Sequence, residues 1–161
     1  MLADKLRGQR GEWYVAAQAV ILALIAYGPS SLSDAPDWPA PFHVLGKVIG
    51  GALAIAGFVF VIFASLKLGK SLTPLPHPRD DAVLTVSGPY RLVRHPIYSG
   101  LIIASFGWAL WLNGWLTLVY AVILFIFFDI KSRREETWLM ARYPEYAAYQ
   151  QRVSKLIPFA Y

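Results

Sequence analysis

Arg94-His95-Pro96, followed by Ile97-Tyr98-Ser99-Gly100, sets two ionisable side chains against the start of a long apolar run, where polar groups are costly unless they serve something. Pro96 suits the first position of a helix, so the helix begins beside His95 with backbone N–H groups that lack partners. Such an end attracts anions, and with Arg94 added the corner suits a carboxylate or a phosphate. Tyr90 and Tyr98 offer flat faces for stacking on a ligand, although either one alone reads better as a tyrosine of the membrane interface. Gly88, next to Pro89, lets the backbone bend ahead of the turn, and Gly100 leaves room on the helix for a close neighbour or a ligand. Farther on, Glu135-Glu136 follows Lys131, Arg133 and Arg134, and the plain reading of that run is a solvated helix of mixed charge. Adjacent helical residues point about 100° apart, so one carboxylate can address a ligand while the other pairs with Arg91 or Arg94. His77 sits in Pro74-Leu75-Pro76-His77-Pro78, whose prolines favour an extended path across such a site; a core or solvent histidine is an equal reading. His43, His77 and His95 have no ligand spacing and the chain has no cysteine, so no metal site is expected.

These groups need elements to bring them together, and composition says in which solvent. Of 161 residues 57% are hydrophobic and 16% charged, more apolar surface than a soluble core of this size hides, so the chain is expected in a membrane as one domain, 1–161. The formal charge of +5 is spread between apolar segments instead of forming one patch, which argues against nucleic acid as a partner. Four apolar segments, about 13–28, 44–66, 97–112 and 115–130, predict an all-α, polytopic bundle of about four transmembrane helices. Only the second is comfortably long, since sixteen helical residues cover roughly 24 Å of a ~30 Å hydrocarbon core. The turn dipeptide Asn113-Gly114 makes the third and fourth an antiparallel hairpin, with Trp108, Trp111 and Trp115 as an interfacial belt around it. The far ends of that hairpin, Pro96 and Lys131, then lie side by side, which carries Glu135-Glu136 to the Arg94-His95-Pro96 turn.

Basic residues set the orientation. Lys5, Arg7 and Arg10 precede the first span, the segment 67–94 carries five Lys or Arg, and the tail after the last span carries six, whereas the loop 28–43 has Asp34 and Asp37 and no base. Both termini and a C-terminal helical segment are therefore expected in the cytoplasm. Tyr27-Gly28-Pro29-Ser30-Ser31 is a poor cleavage site, so the first segment reads as a retained span. Asp129, near the end of the fourth span, is read as salt-bridged to a nearby Lys or Arg. The pattern carries no signal for an oligomeric state.

The string Gly88-Pro89-Tyr90-Arg91-Leu92-Val93-Arg94-His95-Pro96-Ile97-Tyr98-Ser99-Gly100 with Glu135-Glu136 resembles the signature of the small integral-membrane methyltransferases, the isoprenylcysteine carboxyl methyltransferase and phospholipid methyltransferase group. Tyr143-Pro144-Glu145-Tyr146-Ala147-Ala148-Tyr149 through Pro158 looks like that group's closing segment, with Tyr143-Pro144 where Phe-Gly is common. The resemblance covers about 73–158 and implies that this half binds S-adenosylmethionine at the cytoplasmic side and receives a lipophilic acceptor from the bilayer. It implies His77, Gly88, Tyr90, Arg94, His95, Pro96, Tyr98, Gly100, Glu135 and Glu136 as the cofactor site, with Arg94, His95 and Glu136 as its catalytic members. The membrane implied is the inner or plasma membrane of a bacterium, otherwise an endomembrane. A carboxylate, an amine or a thiol all remain open as acceptor; an amine would need a base such as His77, His95 or a glutamate. Two alternatives stand beside this reading: an NADPH-dependent reductase of the sterol-reductase type, whose chains carry a similar Arg-His-Pro-x-Tyr string, and a non-catalytic membrane protein that binds lipid or a partner.

Overall fold

The computed structural model describes residues 11–73, 75 and 83–158, and His77 lies outside them. Among the described residues the chain is an all-α membrane helix bundle: α1 (Glu12–Tyr27), α2 (Phe42–Leu68), α3 (Pro96–Leu112), α4 (Trp115–Arg142) and the short α5 (Tyr146–Arg152). Two stretches, Phe42–Ser71 and Trp115–Arg142, are long and apolar enough to cross a membrane, and α1 and α3 are shorter apolar helices. Large apolar side chains on α2 such as Phe58, Phe63 and Leu66 point outward, as lipid-facing positions do.

α3 packs chiefly on α2, not on its hairpin partner α4. The seam is backbone against backbone. A Cβ added at Gly100 would stand 2.8 Å from the Gly57 carbonyl oxygen, and one at Gly107 would stand 2.7 Å from that of Gly50. Gly100 thus receives a neighbouring helix, the close approach that small residues allow between membrane helices.

At the other end of α3 the chain reverses within two residues. Asn113 adopts the left-handed conformation (φ 51°), and the N–H of Gly114 donates to the Ala109 carbonyl at 3.0 Å, so the helix closes in a Schellman-type cap before α4 starts at Trp115. The apolar part of α4 ends at Ile130, and the helix then runs on through Lys131 to Arg142. That extension is long enough to stand alongside the start of α3. Ile25, Ile102, Leu124, Phe128 and Leu156 form the apolar core beneath, joining α1, α3, α4 and the segment after α5.

Candidate functional site

The turn ahead of α3 is held from behind. A 3-10 turn, Gly88–Arg91, brings the chain in with Gly88 at φ +63° and buries Tyr90, whose carbonyl accepts a hydrogen bond from the Tyr149 hydroxyl at 2.5 Å. The residues after α5 then lie alongside it, with a parallel bridge between Val93 and Ser154. The N–H of Arg94 donates to the Ser154 carbonyl at 2.9 Å and that of His95 to the Lys155 carbonyl at 3.2 Å. The amides just ahead of the helix are therefore spent on the tail.

Arg94 is likewise committed to protein. Its Nε donates to Glu136 Oε1 at 2.7 Å, and its Nη1 donates to the carbonyls of Gln150 (3.1 Å) and Val153. The corner that sequence offers to an anion from outside already contains one, the Glu136 carboxylate. His95 Nε2–H donates to the same Oε1 at 3.1 Å, Gln150 Nε2 to Oε2 at 3.0 Å, and the Tyr146 hydroxyl to Oε1 at 3.3 Å. Burial alone would raise the pKa of Glu136. Hydrogen bonds from His95 and Arg94 and their charges outweigh it and bring the pKa down to about 2, so the group is a carboxylate that four donors share. Tyr149 is pushed up to about 12 by burial, and Tyr146 upward by burial and by Glu136, so both keep their protons as donors.

Glu135 faces the other way. Its Oε2 accepts from the Tyr98 hydroxyl at 2.8 Å and lies 3.6 Å from His95 Nδ1, while the Tyr98 ring stacks between His95 (5.4 Å) and Phe128 (4.4 Å). Above this layer opens a cavity of about 320 Å³, within the size range of small-molecule sites. Arg94, His95, Pro96, Tyr98 and Glu135 line its floor, and Tyr90, Tyr143, Tyr146 and Tyr149 form an aromatic wall. Leu72, Thr73, Val83 to Thr85, Gln18 and Lys131 also line it. Lys131 is 1% exposed, donates to Gln18 Oε1 at 2.6 Å and sits 5.1 Å above the Tyr98 ring.

Of the residues singled out in the sequence, Tyr90, Arg94, His95, Pro96, Tyr98 and Glu135 meet at this cavity. Glu136 stands behind it as the shared acceptor of Arg94 and His95; Gly88 only shapes the approach, and Gly100 faces α2. Sequence reasoning left Gln18 and Lys131 out of the site. A lone amide in the apolar α1 was the available signal for the first, and the first charge after an apolar run for the second. Tyr143, Tyr146 and Tyr149 repeat every third residue, which puts them on one side of the closing segment.

The sequence profile described as phospholipid methyltransferase matches residues 45–146. A probable protein-S-isoprenylcysteine O-methyltransferase of Oryza sativa subsp. indica is 34% identical over 115 residues, which cover 69% of this chain and 60% of that one. Methanethiol S-methyltransferase 1 of Bradyrhizobium diazoefficiens is 38% identical over 93 residues, 57% of this chain and 30% of the relative. Among solved structures, that of the eukaryotic intramembrane Ras methyltransferase, an isoprenylcysteine carboxyl methyltransferase, superposes with a TM-score of 0.66 at 26% identity. The superposition covers 91% of this chain and 51% of that chain. This chain thus spans about 60% of the length of the rice relative and about half of the solved structure.

Proposed function

This chain belongs to the phospholipid methyltransferase family, and from that premise we propose that it is an integral-membrane, S-adenosylmethionine-dependent methyltransferase acting on a lipophilic or small acceptor. The observation that carries the proposal is the meeting of His95, Tyr98 and Glu135 on the floor of one cavity, from two stretches of sequence 37 to 40 residues apart. The cavity suits the cofactor chemically. Its tyrosine wall fits a purine, and the Glu135 carboxylate is an acceptor for ribose hydroxyls or for an ammonium. When bound, S-adenosylmethionine supplies a methyl group activated by its sulfonium. What the chain's own residues contribute is orientation and exclusion of water: Glu136 fixes Arg94 and His95, these fix the floor, and the tyrosines close the side.

Lys131 favours one acceptor class. Its cation, held by Gln18 and the Tyr98 ring beside the apolar helices, attracts a carboxylate or a thiolate, while Glu135 is taken by the Tyr98 hydroxyl and by the cofactor's own hydroxyls or ammonium, so we place anionic acceptors ahead of amines. The charged end of the bundle is assigned to the cytoplasm by the distribution of Lys and Arg.

A nicotinamide dinucleotide finds less here. Among the described residues the Lys and Arg side chains lining the cavity are those of Arg94 and Lys131, and a chain of phosphates would have to displace the protein groups that already engage both. The deciding measurement is thermal stability of the purified protein titrated with S-adenosylhomocysteine and with NADPH. A rise with the first alone is expected; a rise with NADPH alone transfers the assignment to a reductase, and no rise with either removes the enzymatic reading. Transfer of labelled methyl to prenylcysteine analogues and small thiols, but not to amine lipids, is the expected acceptor pattern.

A further inference from the structure

The stretch Gln150 to Leu156 presents its backbone carbonyls in succession to the turn before α3. Gln150 and Val153 receive Arg94 Nη1, Ser154 receives the Arg94 N–H, Lys155 the His95 N–H, and Leu156 the Ser99 hydroxyl at 2.7 Å. Backbone acceptors carry no side-chain identity, so they set the position of Arg94 and His95 only if something else sets the register of the strap. Past the end of α5, where Val153 is extended and Ser154 bridges Val93, a slip of one residue turns each side chain to the opposite side. Two adjacent side chains oppose a slip. Leu156, 3% exposed, is part of the apolar core, and Lys155, 7% exposed, carries its ammonium onto the Asp129 carboxylate of α4. Asp129 also accepts from Arg133 Nε at 3.0 Å, but the Arg133 side chain is 66% exposed, so water competes with that contact far more than with the Lys155 pair.

We propose that the Lys155–Asp129 ion pair is a positioning latch: it fixes the register of the strap 150–156, and through the Ser154 and Lys155 carbonyls it holds the backbone of Arg94 and His95 at the floor of the cavity. Neither residue lines that cavity. Their effect on a ligand is transmitted through the strap. The consequence for cofactor affinity rests on the methyltransferase reading above, whereas the consequence for the turn does not, and the test separates the two.

Lys155→Met, Lys155→Arg, Asp129→Asn and Arg133→Ala are compared by hydrogen exchange and by titration with S-adenosylhomocysteine. Lys155→Met and Asp129→Asn should speed exchange of the Arg94 and His95 amides by about tenfold or more while amides along the α2–α3 seam stay protected. Lys155→Arg and Arg133→Ala should stay within about twofold of the parent, because the first keeps the cation and the second removes only the solvated partner. The same two disruptive variants should weaken S-adenosylhomocysteine about tenfold, and the double variant should do no more than either single one. Unchanged exchange at Arg94 and His95 in Lys155→Met overturns the latch. Faster exchange with unchanged affinity overturns its positioning role. Faster exchange in a protein whose parent does not bind S-adenosylhomocysteine sustains the latch and overturns the cofactor reading instead. Should Lys155→Met not fold, Asp129→Asn and Lys155→Arg give the same comparison.

Discussion

The two sides of α3 are held by opposite means. Along the α2 seam, Gly50, Gly57, Gly100 and Gly107 let two backbones touch. At the head of the same helix, a buried carboxylate gathers an arginine, a histidine, a tyrosine and an amide, and a strap of carbonyls holds the turn. The seam works by shape and needs small residues; the head works by charge and hydrogen-bond geometry and needs particular ones. A protein built this way can tolerate drift in its lipid-facing apolar side chains while its polar end stays fixed, since the two depend on different interactions.

Removing the Glu136 carboxylate should separate the two regimes most sharply. Its side chain and that of Arg94 are 6% and 9% exposed, so Glu136→Ala leaves a buried guanidinium without its counter-charge, a loss of about 3–5 kcal/mol together with cofactor binding. Denaturant unfolding and S-adenosylhomocysteine titration check it; intact binding would reduce Glu136 to a bystander. The same group gives the head an acid limit that the seam lacks. Because folding lowers its pKa from the ordinary 4.5 to about 2, its stabilisation is whole above 4.5 and declines as the pH falls from there towards 2. The stability difference between parent and Glu136→Gln should shrink over that interval.

The seam is broken by volume instead. A Cβ at Gly50 would stand 2.6 Å from the Gly107 carbonyl oxygen, so Gly50→Val must push α2 and α3 apart, at about 1–3 kcal/mol. Gly107 lies far along α3 from Pro96, so the fraction that stays folded should bind S-adenosylhomocysteine within about threefold of the parent. A tenfold loss would mean that seam and head are one mechanical unit, and the contrast between them would fail.

How far each region could be read from sequence follows the same division. Apolar runs and the Asn113-Gly114 turn disclose α1 to α4 because lipid imposes long uninterrupted hydrophobicity, and the hairpin alone carries Glu135-Glu136 to His95. What it does not disclose is that α3 leans on α2: glycines announce a close approach without naming the partner. The division of labour between the two glutamates was also open, because adjacency fixes only that they diverge; Tyr98 claims Glu135, and Arg94 claims Glu136. Least legible of all is the strap. Arg94 is visible as a cation seeking an anion, but two of its acceptors are carbonyls of Gln150 and Val153, which any residue could supply. Gln18 and Lys131, 113 residues apart, show the complementary case: each is conspicuous in its own helix, and neither predicts the other.

The smallest expected effect tests whether the head owes its rigidity to charge or merely to the number of its hydrogen bonds. Tyr149→Phe keeps the ring in the aromatic wall and deletes only the hydroxyl that donates to the Tyr90 carbonyl, a neutral contact at 2.5 Å. A neutral hydrogen bond of this kind contributes about 1 kcal/mol, well below the charged contacts around Glu136. Thermal unfolding should therefore show a shift clearly smaller than that of Glu136→Ala, with S-adenosylhomocysteine affinity lowered by less than about tenfold. A loss as large as that of Glu136→Ala would mean that the 3-10 turn at Tyr90, and not the ionic contacts of Arg94 and Lys155, sets where the tail meets the head of α3.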